Sequence, residues 1–116
     1  MYRQGDVLVE AVKELPNREE IKDPLLVRGE GRNHGHFIAG SDLIISKALD
    51  NELSEGGGII THYLDLQANA DLKHLLIDSG KWTHEHNPIT IPPGKYRVIK
   101  QREYNPYSKA IRAVRD

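Results

Sequence analysis

Four of the six histidines form two His-x-His pairs, His34-Gly35-His36 and His84-Glu85-His86. Side chains two apart on a strand share a face, so each pair is expected to act as a chelating or proton-handling unit. Glu30 precedes His34 by one turn and Glu85 lies inside the second pair, which adds carboxylates. Antiparallel pairing of the two segments brings cross-strand Cβ atoms within roughly 4–5 Å. Imidazoles with a carboxylate suit a divalent transition metal (Zn, Fe, Ni or Mn), and three protein ligands leave a position for water or substrate. The expected metal ligands are His34, His36 and His86, with His84 as a fourth. Glu30 or Glu85 is expected as ligand or general base, and Glu103 with Gln101 as the groups that orient the imidazoles.

A metal-free version of this site also works chemically, because imidazole titrates near neutrality and can trade protons with Glu30 or Glu85. The plainer account makes the four histidines half-exposed polar residues at strand ends. His62 and His74 each sit inside an apolar run and read as hydrogen-bonded core or boundary residues rather than ligands. No nucleophile stands out: there is no Gly-x-Ser-x-Gly elbow, and Gly56-Gly57-Gly58 lacks the Lys-Ser/Thr of a phosphate-binding loop.

Composition narrows the classes. With 116 residues, one domain spanning 1–116 and one modest core are expected. The chain contains no cysteine, so any metal must be held by nitrogen and oxygen ligands, and a cytoplasmic setting is expected. No apolar run is long enough to span a membrane, and the N-terminus lacks the pattern of a secretory signal. The net charge of −1 argues against a protein built mainly to coat nucleic acid or anionic membrane. Its distribution is uneven: residues 92–116 carry 7 basic residues against only Glu103 and Asp116. Tyr96, Tyr104 and Tyr107 among these cations allow a single-strand RNA reading, with complementary pairing to the acidic body as the simpler alternative.

The elements that must position the histidines read as short strands. Residues 6–12 are β-branched and apolar, 25–28 form a second strand, and 34–39 and 43–46 a hairpin. Residues 17–22 read as a loop. Residues 59–66 alternate, with the even-numbered face expected to be buried. The stretch 70–77 fits strand or helix, and strand is favoured. Residues 82–91 are expected to be extended up to the Pro92-Pro93-Gly94 turn, with strands at 96–104 and 111–114 beyond it. The spacing leaves no room for crossover helices. The fold class expected is all-β, a small single-domain β-barrel or β-sandwich of short antiparallel strands.

The order Tyr2-Arg3-Gln4-Gly5-Asp6, then Gly29-Glu30, His34-Gly35-His36, Glu85-His86, Pro92-Pro93-Gly94-Lys95-Tyr96 and Gln101-Arg102-Glu103-Tyr104-Asn105-Pro106 resembles a family of short bacterial and phage-encoded proteins of unassigned function. The resemblance carries Glu30, His34, His36, Glu85, His86, Gln101, Arg102, Glu103 and Tyr104, and implies a shared site but no particular activity. A looser likeness to cupins rests on His-x-His and the later Pro-Gly turn. The cupin glutamate and final histidine have no counterparts at matching positions here. The reading is therefore a metal-binding histidine-rich pocket with hydrolysis of a small-molecule substrate as the reaction class. The alternative is a non-enzymatic module that binds protein or RNA through its basic C-terminal region, with a homo-oligomer compatible with either.

Overall fold

The computed structural model describes residues 1–29 and 33–101. Ten strands and no helix occupy them: β1 (Tyr2–Gln4), β2 (Val7–Ala11), β3 (Glu20–Ile21), β4 (Leu25–Arg28), β5 (His34–Gly40), β6 (Leu43–Lys47), β7 (Ile59–Leu66), β8 (Ala70–Leu76), β9 (Ile89–Ile91) and β10 (Gly94–Lys100). Every strand pairing among them is antiparallel. They form a six-stranded sheet in the order β1-β2-β10-β7-β6-β3 and a four-stranded sheet in the order β4-β5-β8-β9. The fold is all-β, and no helix among the described residues is long and apolar enough to cross a membrane.

Both sheets contribute to one core. Val7, Val9, Leu64 and Val98 come from the larger sheet, and Leu26, Ile38, Leu72 and Ile91 from the smaller. The other face of the larger sheet buries Leu8, Ala48, Ile60, Tyr63 and Ile99 under Leu15. Leu64 and Leu66 of β7 are buried in the core as the alternation predicts, whereas His62 on the same expected face is only half-buried and the odd-numbered Tyr63 is buried; Ile60 is buried too. Ile60 nevertheless joins the outer cluster, because a register shift opposite Val98 and Ile99 reverses the alternation along β7.

Local departures from the sequence reading have physical causes. The three residues of β1 are too few to show a period, yet Gly5, at φ 61°, makes a two-residue turn that pairs Gln4 with Val7. Residues 17–22 are not wholly loop, since Glu20 and Ile21 pair with Ser46 and Ile45. The 70–77 stretch is strand: β8 pairs with β5 over seven residues, from Ala70↔Gly40 to Leu76↔His34. Residues 82–91 are not continuously extended. Trp82 makes a single bridge to Leu75, and regular pairing returns only at β9. The expected strand at 111–114 and the end of the one at 96–104 lie outside the described residues.

Candidate metal centre

The site follows from the β5–β8 register. His36 and His74 are directly opposed, so their side chains share a face, and His34 joins them two residues along β5. That face is the core face: on β8 the buried stripe Ala70, Leu72 ends in His74, which is 2 % exposed. Imidazoles thus extend the apolar stripe at one end of the core. The ring of His74 lies 4.7 Å from those of His34 and His36 and 4.9 Å from that of His86.

The loop after β8 completes the cluster. Gly80, at φ 73°, turns the chain back, and the Leu75–Trp82 bridge sets Thr83 beside His74. The Thr83 hydroxyl oxygen lies 2.5 Å from His74 Nδ1 and accepts the Glu85 N–H at 3.2 Å. Trp82 Nε1–H donates to the His86 carbonyl at 3.0 Å, which ties the loop across its mouth. His84 occupies the left-handed region at φ 67°, and this reverses the chain locally. Glu85 and His86 therefore reach the cluster, while His84 stacks outside on Trp82 at 4.1 Å between ring centroids. The expectation that His84 and His86 share a strand face is corrected by that backbone: residues 84–86 are a bend, where a period of two has no meaning.

From the opposite sheet, the β1–β2 turn closes over the rings. The positive φ favours glycine there, and a Cβ on Gly5 would lie 3.0 Å from His86 Nε2 and 3.5 Å from His36 Cε1, so a side chain would also press on the His86 ring. Gly5→Ala is expected to cost about 1–3 kcal/mol for the strained backbone and to displace the His86 ring. Thermal unfolding of the metal-free protein checks this, and an unchanged midpoint is the contrary result.

His34, His74 and Glu85 offer ligand atoms that all lie within 4.8 Å of one another. His34 Nδ1 and His74 Nε2 are 3.0 Å apart. That separation fits one N–H···N hydrogen bond, and it also fits two ligands on one ion, since bonds of about 2.0–2.1 Å leave neighbouring nitrogens roughly 3 Å apart. Among the described residues the cluster does not satisfy itself, because His34 Nε2 is buried with no hydrogen-bond partner among them. Burial, followed by the neighbouring imidazoles, pushes His36 from 6.5 down to about 3. His74 is lowered by burial and by His34 and His86, with Glu85 and Asp6 acting against this. These rings are therefore neutral near pH 7, the state in which imidazole ligates a metal.

The sequence-based candidates divide clearly. The structure brings together His34, His36, His86 and Glu85, leaves His84 outside, and adds His74, which the sequence alone reads as a core or boundary histidine. His74 is buried and hydrogen-bonded as that reading holds, yet it also stands at the centre of the cluster. The alternation Ala70-Leu72-His74 was the signal that could have placed it there. His62 lies on the larger sheet beside Thr61. Gln101 accepts from Arg3 at 2.7 Å rather than from an imidazole. Glu30, Arg102, Glu103 and Tyr104 lie outside the described residues, as does most of the basic C-terminal stretch. A cavity of about 280 Å³, lined by Leu8, Glu10, Ser54, Arg97 and Ile99, sits on the outer face of the larger sheet and touches no imidazole.

Residues 3–101 match the family described as a domain of unknown function, DUF8820. The chain belongs to DUF8820. No curated protein and no solved structure matches it. Membership fits the uncharacterised family expected from the sequence and assigns no chemistry, so what this DUF8820 chain does must be argued from its imidazole cluster.

Proposed function

We propose that this DUF8820 domain binds a divalent transition metal at the imidazole cluster, with His34, His74 and Glu85 as the first ligands and His36 and His86 as further donors. The observation that carries this reading is the convergence of two imidazoles and a carboxylate within 4.8 Å, with His74 buried at the end of the core stripe, where a polar group is otherwise costly, and Glu85 exposed at the rim. Nitrogen-rich donor sets with one carboxylate suit Zn, Fe or Ni better than Mg or Ca. Were His34, His74 and Glu85 alone to hold the ion, a further position would stay open to water or substrate, and a bound Zn²⁺ lowers the pKa of its water to about 7. Hydrolysis of a small-molecule substrate is accordingly the reaction class we assign. Two sheets facing one core favour a sandwich over a closed barrel as the scaffold.

Untagged protein, stripped with chelator and titrated with Zn²⁺, Ni²⁺ and Fe²⁺, is expected to take up about one equivalent of at least one ion, with the metal-bound form more stable to heat. Uptake below about a tenth of an equivalent for all three, with no thermal shift, overturns the reading.

A further inference from the structure

Gln4 is a buried polar residue, 2 % exposed, at the end of β1. Its side-chain Nε2 donates to two backbone carbonyls, Leu72 O at 3.0 Å and Asn87 O at 2.8 Å. An amide nitrogen carries only two hydrogens, and both are used there. Turning the amide over would set its oxygen against two carbonyl oxygens, so the surroundings permit one orientation. Gln4 Oε1 then faces His36 Nδ1 at 2.8 Å, and an amide oxygen can only accept. The proton of neutral His36 must therefore sit on Nδ1, which leaves the lone pair on Nε2.

That lone pair points toward the acidic side of the cluster. Asp6 Oδ1 lies 3.8 Å from His36 Nε2, so two acceptors face each other with no N–H between them. Bonds of about 2.0–2.2 Å from a shared ion span up to roughly 4 Å, so one cation can touch both atoms. Imidazoles that ligate metals commonly donate their other N–H to an oxygen that fixes tautomer and ring orientation.

We infer that Gln4 is the positioning residue of the metal centre: it fixes His36 as the Nδ1–H tautomer and aims Nε2 into the cluster as a metal ligand. The ligand role of His36 rests on the metal reading above, whereas the tautomer follows from the hydrogen bonds alone. The residue comes from the larger sheet and its carbonyl partners from β8 and the loop before β9, so one side chain joins both sheets at the site. Gly5 and Asp6 follow it directly, which makes the β1–β2 turn the second wall of the cluster.

Long-range ¹H–¹⁵N spectra of the labelled, metal-free full chain read the tautomer directly. The wild type is expected to show a protonated Nδ1 and a bare Nε2 at His36. Gln4→Leu is expected to mix the tautomers and weaken Zn²⁺ binding roughly 10–100-fold. A wild-type chain that binds Zn²⁺ with the His36 proton on Nε2 overturns the role of Gln4 alone, and so does a Gln4→Leu chain with unaltered tautomer and affinity. A wild-type chain with the Nδ1–H tautomer that takes up no metal overturns the metal reading and the ligand role of His36, and upholds Gln4 as the residue that sets the tautomer. The wild-type measurement needs no variant to fold.

Discussion

His74→Leu is expected to weaken Zn²⁺ binding by more than about a hundredfold, because loss of an outer hydrogen-bond partner alone costs roughly 10–100-fold and this substitution removes a central donor. His74 touches three other imidazole rings, and it belongs to the His34–His74–Glu85 set whose ligand atoms converge. Leucine keeps most of the side-chain volume at a site continuous with Leu72, so the β5–β8 pairing has no reason to break. Secondary structure by circular dichroism should therefore stay native while metal uptake is lost. His84→Ala is the matched comparison, since His84 rests on Trp82 outside the cluster, and its Zn²⁺ affinity is expected to stay within about twofold of wild type. Equal losses in the two variants, or none in His74→Leu, contradict the assignment.

The contrast between those two histidines shows what the sequence could and could not reveal. His34 and His36 were legible as a unit because seven residues of β5 keep the alternation on which the argument depends. The second pair looked identical on paper. Its alternation is broken by the left-handed backbone of His84, and nothing in His-Glu-His distinguishes a strand from a bend. His74 joins His34 across a pairing 40 positions apart in sequence, and register of that range is set by packing of the two core stripes rather than by any local motif. Gln4 and Thr83 were invisible for a related reason. Each is a common polar residue that acquires meaning only from which carbonyl or imidazole the fold sets beside it. The all-β class was legible because strand periodicity and turn residues are local, whereas the division into two sheets depends on which strands exchange hydrogen bonds.

Acid should unfold the metal-free protein well before the carboxylates as a group are protonated. The sign follows from proton counting. His36 is held at about 3 in the folded chain against 6.5 when free, so between those values the unfolded chain binds a proton that the native chain refuses. Stability therefore rises with pH across that interval, is fully present above about 6.5, and is lost as pH falls toward the folded value. Each pH unit crossed removes up to about 1.4 kcal/mol per proton. His74 and His62 are also lowered, with burial the first cause in both, and they act in the same direction. Against a total stability of roughly 5–15 kcal/mol, this loss is large enough to move the unfolding midpoint severely. Urea unfolding of chelator-treated protein at about pH 7.5 and about pH 4.5 reads it, with a much lower midpoint expected at the acid value. The His36→Phe variant removes the group with the largest displacement, so its midpoint should depend less on pH than that of wild type, whatever its absolute stability. A wild-type midpoint that stays level over this range means that the buried imidazoles accept protons without leaving the core, and the physical basis for a neutral, ligand-ready cluster is lost with it.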